Sequence, residues 1–170
     1  MITLDRLRSA WPFAAAAVSV AMLAAAHAFE TFGGYAPCGL CLKQREVYWA
    51  ALTVAVLGYG LVRARRLAPE VLALLLTAAF AAGTIVAAYH AGVEWKWWPG
   101  PTSCTGGAGL AVTGDLSDLL SGKKVHPPAC DEAAWRMLGV SMAGYNALIS
   151  LGLTVLGAAA ACCGHNRHEP

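Results

Sequence analysis

Four stretches of this chain are long and apolar enough to be read as helices crossing a bilayer. The first runs from Trp11 to Phe29, interrupted only by Pro12, Ser19 and His27. The second runs from Leu42 to about Val62; Lys43, Gln44, Arg45 and Glu46 open it, and Arg63, Arg65 and Arg66 close it. The third follows Pro69 and ends at Tyr89, and the fourth runs from about Val140 to Ala161. A helix needs about 20 residues to cross the hydrocarbon core. With their flanks, the predicted spans are therefore about 10–30, 42–62, 69–89 and 138–162. The fold class expected is all-α: one integral membrane four-helix bundle over residues 1–170, with outer loops at about 31–41 and 90–137. Small residues, as in Ala78 to Gly83, permit close helix approach. Within the long loop, Leu116, Leu119 and Leu120 between Asp115 and Ser121 predict a short amphipathic helix. It lies on the membrane surface, packs on the bundle, or does both.

Composition supports the membrane reading. The chain is 58% hydrophobic and 13% charged, against about 45–50% and about 25% for a soluble domain. A net charge of +2 without a block of like charge argues against a nucleic-acid partner. Arginines crowd the N-terminus, the 63–68 turn and the tail, and this density puts both termini in the cytoplasm. Arg6 and Arg8, the alanine-rich run and Ala26-His27-Ala28 also imitate a cleavable secretory signal, although an uncleaved first helix is the preferred reading. Trp95, Trp97 and Trp98 read as an interfacial aromatic belt.

The chemistry resides in cysteines. Pro37-Cys38-Gly39-Leu40-Cys41 places a Cys-x-x-Cys pair where the second helix begins, with Pro37 suited to its first turn. Two cysteines three apart can bridge at a helix start, and the helix dipole there favours a thiolate. At about 100° per residue, Arg45 lies about 20° from Cys38 and about 40° from Cys41, so the three share a stripe. Gln44, Tyr48 and Trp49 fall on or near it. Arg45 either serves a buried site or snorkels to headgroups. Cys104 and Cys130, with 25 residues between them, face the same side. They form either a structural disulfide, contributing roughly 3–4 kcal/mol in the chain-entropy model, or a second exchange pair. Cys162 and Cys163 read as small apolar filler in a reducing compartment. No metal site is assigned: a four-cysteine zinc site normally joins two closely spaced pairs, and haem attachment fails because Leu42 stands where histidine is required. His90 either manages a proton beside the pair or is an ordinary interfacial histidine; His27 reads as a helix-contact residue.

Together these residues resemble the disulfide bond formation protein B (DsbB) family of bacterial inner-membrane thiol oxidases. The resemblance rests on Pro37-Cys38-x-x-Cys41 with Arg45, on Tyr89-His90, and on Cys104 and Cys130. It continues through Cys130-Asp131-Glu132-x-x-Trp135, Leu138 to Met142, and Tyr145-Asn146. It implies a long periplasmic loop and a quinone-dependent enzyme that reoxidises a periplasmic thioredoxin-fold dithiol protein of DsbA type. Cys104 would form the mixed disulfide with that partner and Cys130 would resolve it. Cys38 would exchange with the distal pair, and Cys41 would face a ubiquinone or menaquinone from the membrane pool, bound by Arg45 with Gln44, Tyr48, Trp49 and His90 as neighbours. Thr105-Gly106-Gly107 after Cys104, and Tyr145 in place of a common tryptophan, depart from the family pattern. The rival expectations are a DsbI-like oxidase serving one dedicated partner, a vitamin K epoxide reductase-like enzyme, and a non-catalytic membrane scaffold with two structural disulfides.

Overall fold

In the computed structural model the described residues are 2–101 and 129–162. They form α1 (Ile2–Thr31), α2 (Gly39–Arg63), α3 (Pro69–Glu94), the two-residue strands β1 (Arg136–Met137) and β2 (Val140–Ser141), and α4 (Met142–Cys162). Cys104 and the expected amphipathic segment 115–121 lie outside the described residues, as does Cys163.

The four helices pack as a bundle in which α3 touches the other three and lies most extensively along α4. Its interior holds Trp11, Ala15 and Leu23 of α1, Tyr48, Ala51 and Ala55 of α2, Leu72, Leu76 and Phe80 of α3, and Leu153 and Ala160 of α4. Alanines at these contacts let backbones approach closely. Gly157 is one such close approach: a Cβ there would run into Thr77 of α3 and Trp11 of α1. Outward, Val56, Leu57, Leu74, Ile85, Leu148, Val155 and Leu156 are exposed, while Ser19, Gln44, Asn146 and Ser150 are buried. That inversion of the usual order suits a hydrocarbon surround. Among the described residues, three helices, over Arg8–Thr31, Pro69–Glu94 and Met142–Cys162, are long and apolar enough to cross a membrane. Charges in the first two turns of α2 lower its average apolarity.

The helices differ from their expected bounds at four places. α1 begins at Ile2 rather than near residue 10 and runs through Pro12; a bundle with close neighbours tolerates the lost backbone hydrogen bond. α2 begins at Gly39 rather than near residue 42. α3 continues past Tyr89 to Glu94 because Ala91, Gly92 and Val93 are buried rather than looped out. Trp98 folds back on this last turn, stacking on Tyr89 and donating from Nε1 to its carbonyl at 3.0 Å. It covers Gly92 so closely that a Cβ would collide with the indole. α4 starts at Met142 rather than near 138, because the preceding residues turn back as a hairpin pairing Arg136 with Ser141 and Met137 with Val140. Leu138 and Gly139, both with positive φ (50° and 81°), make its two-residue turn. Ser141 then caps α4, its Oγ accepting from the Gly144 N–H at 3.1 Å.

Candidate active site

The Cys-x-x-Cys pair sits at the mouth of α2, just above the apolar run that begins at Leu42. Cys38 is the N-cap, and its Sγ accepts the Cys41 N–H at 3.3 Å. Pro37 therefore precedes the cap instead of occupying the first turn, since the helix begins only at Gly39. The two thiols are reduced and their sulfurs are 3.0 Å apart, Cys38 donating to Cys41. That donation holds the Cys41 thiol down, to about 7, with a smaller push from Arg45. The same hydrogen bond, together with burial, pushes Cys38 up. In reduced protein, alkylation of Cys41 should therefore rise with a midpoint at about pH 7, because the thiolate is the reactive form above a lowered pKa. Cys38 should remain protected through neutral pH. Pulse alkylation read by peptide mass spectrometry checks both.

Cys130 is fully buried and disulfide-bonded. It packs in one apolar cluster with Cys38, Leu40 and Cys41. The segment is tied down by an ion pair at 2.5 Å between Lys96, just beyond α3, and Asp131, which holds the Asp131 carboxyl below its ordinary range. Residues nearly a hundred positions apart thus bring the proximal pair and one member of the distal pair into contact.

A polar chain leads from Cys38 into the bundle. His90 is 3% exposed, with Nε2 3.6 Å from Cys38 Sγ and Nδ1 2.7 Å from Gln44 Nε2. Asn146 donates to Gln44 Oε1. Tyr48 OH donates to Asn146 Oδ1 at 2.5 Å and lies 3.1 Å from Ser150 Oγ. Gln44, Tyr48, Asn146 and Ser150 are all buried, so each depends on the next for a partner. Glu94, one turn beyond His90, brings Oε1 to 3.8 Å from His90 Nε2; its Oε2 is buried without a partner.

Beside these groups lies a cavity of about 760 Å³. Its wall includes Cys38, Cys41, Gln44, Arg45, Tyr48, His90 and Glu94, together with Phe29, Tyr35, Trp135 and Tyr145. Phe29 and Trp135 have ring centroids 5.4 Å apart, and Trp135 and Tyr145 6.2 Å. Arg45 reaches it without snorkelling: its guanidinium pairs with Glu30 at 2.5 Å and donates to the Ala26 carbonyl at 3.1 Å, both on α1.

Most residues expected at the site converge here. Trp49 does not: it is 53% exposed and off the cavity wall, because one further step around α2 turns it outward. His27 is also exposed, 3.9 Å from Glu30, and Cys162 is free and exposed. Glu30, Glu94, Asn146 and the aromatic wall were missed as site residues. Trp135, Tyr145 and Asn146 already stood in the motifs that carried the resemblance; Glu30 and Glu94 carried no sequence signal beyond being acids beside apolar spans.

A dithiol docked on a disulfide-bonded cysteine, at the head of apolar helices, defines a membrane protein built for thiol–disulfide exchange. Residues 8–160 match the family model for disulfide bond formation protein DsbB. The chain belongs to the DsbB family, and so to the membrane thiol oxidoreductases of disulfide bond formation. No curated protein and no solved structure matches it.

Proposed function

We propose that the protein reoxidises a periplasmic thioredoxin-fold dithiol partner of DsbA type and delivers the electrons to a membrane quinone. All four helices then span the bacterial inner membrane, with α2 as the fourth span and both termini cytoplasmic. The observation that carries this reading is the position of the Cys38–Cys41 pair, packed against Cys130 on one side and facing the 760 Å³ cavity on the other.

The exchange runs inward. Reduced partner attacks the Cys104–Cys130 disulfide at Cys104, and its second thiol releases the reduced distal pair. The Cys130 thiolate then attacks Cys38 Sγ, the Cys38–Cys41 bond breaks, and Cys41 leaves as thiolate. Cys104 attacks Cys130 Sγ, which closes the distal disulfide and frees Cys38; two electrons have moved to the proximal pair. A bonded Cys130 beside reduced Cys38 and Cys41 matches that stage. The lowered pKa of Cys41 suits it as the leaving thiolate.

The cavity fits a quinone. Its volume lies in the range of about 300–1,000 Å³ usual for small-molecule sites, its wall is largely aromatic and aliphatic, and Arg45 supplies a fixed cation for a carbonyl oxygen. Bound there, a quinone supplies a two-electron acceptor. Phe29, Tyr35, Trp135 and Tyr145 would hold its ring, and Glu30 keeps the Arg45 guanidinium in place. Gln44 fixes the orientation of the His90 imidazole, which can hold a proton beside Cys38. Purified protein mixed with reduced thioredoxin-fold partner and a ubiquinone analogue should bleach the quinone absorbance catalytically in stopped flow. No quinone reduction with any such partner, ubiquinone or menaquinone alike, defeats the reading.

A further inference from the structure

The ligating atoms of Cys38, Cys41 and His90 all lie within 4.8 Å of one another. In the reduced state, we infer that these three residues form a binding site for a thiophilic divalent cation of the zinc class. Two sulfurs and an imidazole suit such an ion, and the group forms only when α2 and α3 come together. It is not the four-cysteine arrangement that spacing argued against.

The geometry is close to what a tetrahedral site needs. Ligand distances of about 2.3 Å for sulfur and about 2.0 Å for nitrogen place a sulfur and a nitrogen about 3.5 Å apart. Cys38 Sγ and His90 Nε2 are 3.6 Å apart. The two sulfurs, at 3.0 Å, have to open by less than about 1 Å. Cys38 is the freer to move, being a cap outside the helix proper. Glu94 Oε1, 3.8 Å from His90 Nε2, stands beside the fourth position, where it accepts a hydrogen bond from a coordinated water and offsets the cation's charge.

Ligation through Nε2 requires the His90 proton on Nδ1, facing Gln44. The polar chain accommodates this by reversing. Nδ1–H then donates to Gln44 Oε1, Gln44 Nε2 to Asn146 Oδ1, Asn146 Nδ2 to Tyr48 OH, and Tyr48 OH to Ser150 Oγ. Each contact between these side chains is already present. A histidine ligand with its second nitrogen held in this way is the usual support of a metal site.

Binding converts a divalent cation and two thiols into a bis-thiolate complex and two protons. Forming the Cys38–Cys41 disulfide, with two electrons passing to an oxidant, removes both sulfur ligands and releases the cation. Cation and disulfide therefore exclude each other, and zinc would hold the pair reduced. The inference uses the thiols of the proposed oxidase but needs no quinone, so it stands or falls separately from quinone turnover.

The test uses full-length protein, reduced, freed of reductant and given one equivalent of zinc. X-ray absorption at the zinc edge should show two sulfurs at about 2.3 Å and imidazole nitrogen at about 2.0 Å. Treatment with the thiol oxidant diamide should release the zinc. His90→Ala should weaken zinc binding by at least about tenfold, measured by competition with a chromophoric chelator. A four-sulfur shell, a shell without imidazole, or zinc retained after diamide overturns the inference, and none of these readings depends on a variant folding.

Discussion

Cys41→Ser should abolish catalytic quinone reduction, by about a thousandfold or more, while leaving one oxidising equivalent in the protein. Loss of an attacking group typically costs several orders of magnitude in turnover. Cys41 is the member of the proximal pair with the lowered pKa, and it lies on the cavity wall beside Arg45. Without it no proximal disulfide forms, so electrons have no route from Cys38 to the acceptor. The distal disulfide at Cys130 is untouched by the substitution. Mixed with excess reduced partner, the variant should therefore oxidise about one partner molecule and then stop. Quenched-flow sampling with alkylation counts the oxidised partner, and quinone absorbance reports turnover. A non-catalytic scaffold predicts that wild type and variant behave alike. Turnover of Cys41→Ser at the wild-type rate would sink the assignment of roles to the two pairs.

How the site is built explains how much of it could be read from the chain. Apolar runs place helices because hydrocarbon selects on composition over a long window, so a helix forms over each of the four runs although its ends differ. The Cys38, Cys41 and Arg45 stripe was legible for the same reason: 3.6-residue periodicity alone fixes which side chains share a face. Groups whose partners lie on another helix were not legible. Glu30 meets Arg45 only because α1 and α2 pack side by side, and the pairing turns a residue that could have snorkelled into a fixed wall of the cavity. The extension of α3 depends on Trp98 folding back on Gly92, a contact that an aromatic-belt reading of Trp98 does not contain. The hairpin before α4 was hidden because its two-residue strands are too short for any alternation to show. Its marker is Gly139, whose positive φ is ordinary for glycine, next to Leu138, for which it is not.

Asn146→Leu should show that the buried polar chain acts as one unit. The substitution leaves Gln44 Oε1 without its donor and leaves Tyr48 OH with Ser150 as its remaining partner. An unsatisfied buried polar group costs about 1–3 kcal/mol. The unfolding midpoint should fall accordingly, and turnover should fall with it, because Gln44 is what orients His90 toward Cys38. Gln44→Leu should destabilise by a similar amount, stranding Asn146 Nδ2 instead. The double variant separates a network from two independent contacts. Replacing both partners by apolar groups removes the stranded donor and acceptor together, so its loss of stability should be clearly smaller than the sum of the single losses. Tyr48→Phe, which spares the Gln44–Asn146 contact, should keep the His90 geometry and most of the turnover. If the losses from Asn146→Leu and Gln44→Leu simply add, the two side chains are not coupled. The line from Cys38 to Ser150 would then be a set of separate contacts. Coupling, by contrast, would mean that the packing of α2 against α4, deep in the bundle, sets which nitrogen of His90 carries the proton beside the thiol at its outer end.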